Sequence, residues 1–186
     1  MKPSTTNYLA GYPPDVQAQV QALLEQDQLG ALLLRKHPEP PHGVRTDTSL
    51  YAYVMELKNT FLRSSEPLSK VAYDNQLHVI HHALGTHTTI SRVQGSRLKS
   101  KREIRVAALF RELPLPLLRM IVVHELAHLK EKGHDKAFYQ LCQRMEPDYH
   151  QLEFDLRMVL TQMQAHGPIA WLQPFSPGEP RSVPGS

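Results

Sequence analysis

The residues of this chain whose types and spacing favour chemistry are two histidines four positions apart, with a glutamate directly after the first. They are His124, Glu125 and His128, in the sequence His-Glu-Leu-Ala-His. On a helix this separation brings both imidazoles to one face, one turn apart, where they can bind one metal ion. Glu125 then lies close enough to hold and deprotonate a water molecule without binding the metal itself. The motif therefore predicts metal-assisted hydrolysis.

A third histidine, His134, follows six residues after the second. We predict that the helix runs one more turn beyond His128 and stops at Gly133, in the left-handed conformation that favours glycine. The chain then turns and presents His134 to the same ion. Three protein ligands and one open position are typical of a catalytic zinc site. We therefore predict that one divalent ion, zinc, is bound by His124, His128 and His134.

The elements that must position these residues are a buried helix and the strand before it. The segment from Leu115 to Val123 is apolar except for Pro116 and Arg119, which indicates a helix buried nearly all round. Upstream, the alternation of residues predicts four strands. They are Lys70–Tyr73, Leu77–Ala83, His87–Val93 and Glu103–Phe110.

Amphipathic periods predict further helices on both sides of this core. One begins near Pro13-Pro14-Asp15, and a second is capped by Asp47 or Thr48. After the metal residues, Asp135 is placed to cap a helix, and Asp148–His166 forms another. We predict an N-terminal helical extension over 1–64, a core domain over 65–166 and a Pro-rich, disordered tail over 167–186.

Composition limits the class of protein. A chain of 186 residues is long enough for one domain with a sizeable core, and its net charge of +3 is too mild to name a partner. The single cysteine, Cys142, excludes a disulfide framework and a thiolate-rich zinc cluster. The start of the chain lacks the apolar segment of a secretory signal, and no apolar run is long enough to span a bilayer. We predict a cytoplasmic protein without a membrane partner.

The segment from Val93 to Tyr149 resembles the YgjP-like metallopeptidase family, which is related to the SprT and WLM groups of minimal zincins. The resemblance rests on Gly95-Ser96, the strand-like Arg102–Leu109, Leu113-Pro114, the block Ile121–Leu129, His134, Phe138 and Pro147-Asp148-Tyr149. It implies an α+β, zincin-like fold, with a small antiparallel or mixed sheet packed on the central helix. It also implies that an edge strand pairs with an extended substrate through Arg105, Val106 and Ala107.

Residues downstream of the motif offer several alternatives for completing the site. Hydrolysis through an oxyanion needs a hydrogen-bond donor, and Tyr149 and His150 are candidates. We favour a second interpretation of Tyr149, in which its ring packs against the metal helix. The alternative third metal ligand is a carboxylate, Glu146 or Glu153.

Two polar clusters before the motif could also bind a ligand. Four histidines in ten residues suggest a second metal site, but adjacent ones would face opposite sides of a strand, so we do not favour it. These are His78, His81, His82 and His87. A basic stretch from Arg92 to Arg105 can contact nucleic acid phosphates, but it contains no aromatic residue for base stacking. We favour a solvated basic loop.

The function that we favour from the sequence is a zinc-dependent metallopeptidase that cleaves peptide or protein substrates, with Glu125 as general base. One alternative is a metal-dependent hydrolase of a phosphorylated small molecule, although no Gly-rich phosphate loop is present. Another is a DNA-associated, SprT-like protease. A purely structural zinc protein is disfavoured, because metal binding alone does not require Glu125.

Overall fold

The computed structural model describes residues 6–77 and 102–172, which form six α-helices and two β-strands. The strands are β1 (Leu68–Asp74) and β2 (Arg102–Ala107). The helices are α1 (Pro14–Glu25), α2 (Leu29–Lys36), α3 (Asp47–Phe61), α4 (Leu115–Ala127), α5 (Lys136–Met145) and α6 (Tyr149–His166). The α+β class predicted from the sequence is confirmed.

The two strands pair in parallel, with Val71 opposite Ile104 and Tyr73 opposite Val106. Parallel neighbours require a long crossover connection, and the segment between them includes residues 78–101. Apart from Leu77, the predicted strands Leu77–Ala83 and His87–Val93 lie outside the described residues. The described pairing is parallel and not antiparallel, which the mixed sheet of our prediction allows.

The second strand ends earlier than the alternation predicts. Ile104 and Val106 are buried as expected, but the backbone leaves the strand after Ala107 and forms a 3₁₀ turn over Ala108–Arg111. This turn places the Phe110 side chain in the core, and the Phe110 carbonyl accepts a hydrogen bond from His42 Nε2 at 2.9 Å. A tertiary contact therefore ends the strand.

The central helix α4 is buried along most of its length, as predicted. Its second residue is Pro116, which the first turn of a helix tolerates because that N–H has no helical partner. Helix α4 packs against α3, α5, α6 and β2, so it lies at the centre of the apolar core. Its burial holds the backbone of the motif rigidly in place.

The N-terminal helices share this core. Helix α3 packs on β1 and α4, while α1 and α2 pack against α6. The N-cap of α3 is Thr46, whose side chain accepts a hydrogen bond from the Ser49 N–H at 3.1 Å. The predicted cap at Asp47 or Thr48 is therefore wrong by one or two residues. Asp47 instead accepts from the Tyr73 N–H at 2.9 Å and ties α3 to β1. The predicted domain boundaries stay a prediction.

The chain beyond α6 remains in contact with the core for a few residues. Gly167 ends the helix with a positive φ of 81°, a conformation that favours glycine. Ile169 is buried, and Ala170–Leu172 form a 3₁₀ turn. The remainder of the predicted disordered tail, 173–186, lies outside the described residues. None of the helices in the described part of the chain has the length and hydropathy that crossing a bilayer requires.

A buried ionic cluster joins α2 to α6. Asp155 is only 1% exposed, and its carboxylate accepts from Lys36 Nζ at 2.5 Å, His37 Nε2 at 3.0 Å and Gln151 Nε2 at 2.8 Å. Burial by itself raises the pKa of Asp155, but the hydrogen bonds from His37, Lys36 and Gln151 and the charge of Lys36 outweigh it and lower the pKa below its ordinary value. The ionised carboxylate therefore stabilises the folded state.

Replacing Asp155 by asparagine is expected to lower the free energy of unfolding at pH 7 by about 2–3 kcal/mol, as for hydrogen bonds to a charged group. Because the folded pKa lies below the unfolded value of about 3.9, the contribution is complete above that pH and is lost as the pH falls through the folded pKa. Urea unfolding of both proteins between pH 7 and pH 2 measures this difference, which should shrink only below about pH 4. The exposed Glu39→Gln variant is the control, and a difference independent of pH would contradict the assignment.

Candidate metal centre

Three imidazoles converge at the end of α4. The Nε2 atoms of His124 and His128 are 3.2 Å apart, and each lies 3.1 Å from the Nε2 atom of His134. His124 is 2% exposed and the other two are half-buried. The three histidines predicted as ligands therefore meet at a single point, with the same ring nitrogen of each directed inward.

This arrangement suits a metal ion better than it suits hydrogen bonds alone. An Nε2 atom is either an N–H donor or a lone-pair acceptor, so among three mutually close Nε2 atoms at least two are of the same kind and oppose each other. Nitrogens that share a tetrahedral zinc at about 2.0–2.1 Å lie about 3.3–3.4 Å apart, close to the separations seen here. The donor set fits a bound zinc ion, and within the described residues no other group of three metal-ligating side chains converges in this way.

The path of the chain to His134 differs from the prediction. Helix α4 ends at Ala127, with His128 as its C-cap, rather than one turn later, and Gly133 does not have the positive φ that we predicted. A tight turn follows, in which the N–H groups of Lys130 and Glu131 both donate to the Ala127 carbonyl. The chain thus continues in a tight turn past the second histidine and then brings the third to the same point.

The same turn orients His128. The Glu131 carbonyl oxygen lies 2.9 Å from His128 Nδ1 and accepts its proton. A proton on Nδ1 leaves the lone pair on Nε2, the atom that faces the other two histidines. A backbone carbonyl in this position is a common partner of a metal-binding histidine.

Helix α5 forms the floor under the three imidazoles. Its cap is Asp135, as predicted, whose side chain accepts from the Phe138 N–H at 3.0 Å. The Phe138 ring is fully buried, with its centroid 4.6 to 5.0 Å from the centroids of all three imidazoles. An apolar ring in this place limits the movement of the imidazoles and excludes water from beneath them.

Glu125 follows His124 on α4 and is half-buried. Burial raises the pKa of Glu125 to about 7, from an ordinary value near 4.5. A bound cation nearby would favour the ionised carboxylate and so act against this rise. A carboxylate whose pKa lies near neutrality is well suited to accept a proton from a water molecule.

Tyr149 contacts a predicted ligand. Its hydroxyl oxygen is 2.7 Å from His124 Nδ1, and its side chain is fully buried among α4, α5 and α6. Burial is the main cause that raises the pKa of Tyr149 far above its ordinary value, so the phenol is neutral. The buried ring lies against α4, as the packing interpretation predicts, and a role of Tyr149 as oxyanion donor stays a prediction. His150 is exposed, and its ring centroid is 5.2 Å from that of Tyr139.

The two alternative carboxylate ligands make ion pairs elsewhere. Glu146 pairs with Arg119 at 2.5 Å, and Glu153 pairs with Arg157 at 3.2 Å. His134, rather than either glutamate, completes the cluster of three. The metal-binding role of the cluster stays a prediction.

The three residues predicted to pair with substrate lie in β2. Val106 and Ala107 are buried in the core, while the Arg105 side chain is 53% exposed and pairs with Asp74 and Glu103. A contact of Val106 or Ala107 with a substrate would therefore be made through the backbone and not through the side chain. Substrate binding by this strand stays a prediction.

Of the two competing clusters before the motif, only the last residues of the basic stretch belong to the described part of the chain. All four histidines of the cluster His78–His87, and the basic residues from Arg92 to Lys101, lie outside the described residues. Arg102 pairs with Glu66, and Arg105 with Asp74, so the described end of the basic stretch is neutralised by carboxylates. These pairs leave little charge at that end for nucleic acid phosphates.

Sequence reasoning did not identify two polar partners of the site. One is the Glu131 carbonyl, a backbone group that every residue type offers, so no sequence signal marks it. The other is the Tyr149 hydroxyl, which lies 2.7 Å from His124 Nδ1. The sequence cannot show this contact, because helical spacing does not specify that the start of α6 lies against α4.

An α+β fold with three convergent histidines and a neighbouring glutamate defines the class as a metal-dependent hydrolase. A family model described as YgjP-like, metallopeptidase domain, matches residues 73–158. The chain is also 57% identical over 160 residues to the UTP pyrophosphatase of Escherichia coli (strain K12), covering 86% of this chain and 95% of that protein. The chain belongs to the YgjP-like family, which confirms the resemblance noted above. No solved structure matches it significantly.

Proposed function

We propose that this protein is a metal-dependent pyrophosphatase that hydrolyses UTP to UMP and pyrophosphate. The observation that carries the proposal is the 57% identity to a UTP pyrophosphatase along nearly the whole of that protein. A nucleotide substrate differs from the peptide or protein substrate that we favoured from the sequence. The proposal instead takes up our first alternative, a hydrolase of a phosphorylated small molecule.

In the proposed reaction, the oxygen of a water molecule forms a bond to the α-phosphorus and the bond to the departing pyrophosphate breaks. His124, His128 and His134 hold the metal through Nε2, and an all-imidazole site suits zinc. When bound, the ion supplies Lewis-acid chemistry, which lowers the pKa of water and offsets negative charge on phosphoryl oxygens. The Glu125 carboxylate takes the proton of the attacking water.

The surface next to the histidines supports an anionic substrate. Lys130 and Lys132 lie exposed in the turn between His128 and His134, and Lys136 begins α5 two residues later. Lysine is a common partner of phosphate groups, which it contacts as a mobile point charge. A triphosphate carries several negative charges that need such partners, whereas a neutral peptide bond does not.

A zinc-dependent peptidase is the second candidate function. The His-Glu-Leu-Ala-His motif with a third histidine is the ligand and base arrangement that we associated with peptide hydrolysis, and the matching family model is described as a metallopeptidase domain. Both functions use the same three ligands and the same base. They differ in the substrate, and so a direct comparison of substrates separates them.

The test compares nucleotides with proteins as substrates for the full-length, untagged, zinc-loaded protein. We expect it to release pyrophosphate and UMP from UTP, more slowly from CTP and ATP, and to leave casein and a mixed peptide library intact. Activity should disappear with a chelator and return with added zinc. Cleavage of casein or peptides without pyrophosphate release from any nucleotide would overturn the proposal and favour the peptidase.

A further inference from the structure

Two aromatic side chains lie next to each other beside the three histidines and outside the cluster that could hold a metal. Tyr139 on α5 is half-buried and His150 at the start of α6 is exposed, with their ring centroids 5.2 Å apart. We propose that Tyr139 and His150 form the subsite for the base of a nucleotide, which stacks on these rings while its phosphates face the histidines. The inference rests on the proposed function and names the part of the site that binds the base.

The position of Tyr139 suits a base that is joined to its α-phosphate through a single sugar. Phe138 and Tyr139 are the two phenyl-type rings of the described residues whose centroids lie within 6.5 Å of the His134 ring. Phe138 is fully buried, whereas Tyr139 reaches the surface. A nucleotide whose α-phosphorus lies at the histidines carries its base one ribose away, and Tyr139 is the phenyl-type ring accessible at that distance.

Helix α5 presents a positive charge and then an aromatic ring on the same side. Lys136 and Tyr139 are three positions apart, so they are neighbours on the surface of the helix. Lys136 is exposed and follows His134 by two residues, where it can contact a phosphate as a point charge. The order His134, Lys136, Tyr139 therefore matches the order of a nucleotide from its phosphates to its base.

The Tyr139 ring is held from behind by two buried rings. The centroid of Phe138 is 5.3 Å away and that of Tyr149 is 6.3 Å away, and both side chains are 0% exposed. Burial raises the pKa of Tyr139, so the phenol is neutral and adds no negative charge beside the phosphates. A ring that is already fixed in place loses little conformational entropy when a base stacks on it.

The first experiment compares UTP with ribose 5-triphosphate, which has the same sugar and phosphates but no base, as substrates of the full-length, zinc-loaded protein. Tyr139→Leu keeps an apolar side chain but removes the ring, and we expect KM for UTP to rise about 5–100-fold with little change in kcat. KM for ribose 5-triphosphate should stay within about twofold of the wild type, because that substrate does not stack. Tyr139→Phe keeps the ring and should restore KM for UTP.

Tyr51→Leu on α3 is the matched control, because Tyr51 is 41% exposed and lies on another helix. An unchanged KM for UTP in Tyr139→Leu would overturn the proposal, and so would an equal rise in KM for both substrates, which indicates a general distortion. Equal KM values of the wild type for both substrates would exclude the base subsite and leave the proposed function standing. Release of pyrophosphate from neither substrate would refute the proposed function, and this inference with it.

The second experiment measures binding without turnover, by equilibrium dialysis of the zinc-loaded protein against UMP or ribose 5-phosphate. The wild type should bind UMP at least about fivefold more tightly, because the base adds a stacking contact. His150→Ala, at an exposed position, should weaken UMP binding about fivefold and leave ribose 5-phosphate binding unchanged. Equal affinities of the wild type for the two ligands would overturn the proposal, and this comparison decides the matter even if Tyr139→Leu does not fold.

Discussion

Replacing Glu125 by glutamine is expected to lower kcat for UTP hydrolysis by about 10²–10⁴-fold, the range for loss of a general base. An amide is nearly isosteric with the carboxylate and can still hydrogen-bond a water molecule. It cannot take a proton from that water, so the proton transfer that generates the nucleophile is lost. Pyrophosphate release under saturating UTP measures the effect.

The metal content and the fold of Glu125→Gln should be unchanged, because the side chain is not part of the cluster of three imidazoles. The matched control is Glu56→Gln on the exposed surface of α3, which should hydrolyse UTP at the wild-type rate. If Glu125→Gln turned over UTP as fast as the wild type, Glu125 would not be the base. A loss of metal in Glu125→Gln would show that the carboxylate supports the ion rather than the proton transfer.

Removing one imidazole from the cluster is expected to abolish stable metal binding. The wild-type protein, purified without a histidine tag, should contain about one zinc ion per chain. In His128→Ala and in His134→Ala only two imidazoles remain, and two ligands do not hold zinc against a competing chelator. We expect the zinc content of both variants to fall to about one tenth or less after dialysis against chelator, with loss of hydrolysis.

Elemental analysis gives the zinc content, and thermal unfolding of the metal-free proteins shows whether the variants still fold. His166→Ala serves as the matched control, because His166 lies at the far end of α6 and is outside the cluster. It should retain a full complement of metal. Full occupancy in His128→Ala would exclude the assignment of the three ligands, and full occupancy in His134→Ala would return attention to a carboxylate as the third ligand.

The location of the site followed from local geometry. A helix rotates by 100° per residue, so the spacing of His124 and His128 places both on one face in any fold that keeps the helix. The apolar run before them likewise predicts burial, and α4 is buried. Asp135 caps α5 through a side-chain contact with the backbone three residues away, which is again a local interaction.

The predicted ends of two elements were wrong. Helix α4 stops at Ala127 and not near Gly133, and the turn that follows leads to His134, whose Nε2 atom lies 3.1 Å from those of the other two histidines. Strand β2 stops at Ala107, where Phe110 turns into the core. Propensity alone favours a longer helix and a longer strand, and tertiary packing overrides it.

The sequence by itself determined the class of chemistry, the α+β fold class and the residues that could bind a metal, because these depend on residue type and on periods of a few positions. Tertiary structure alone decided that β1 and β2 run in parallel and that Tyr149 lies against His124, 25 residues away. It also pairs Glu146 with Arg119 and Glu153 with Arg157. Contacts of this kind depend on how α4, α5 and α6 pack side by side, and the spacing of residues along one helix does not specify its neighbour.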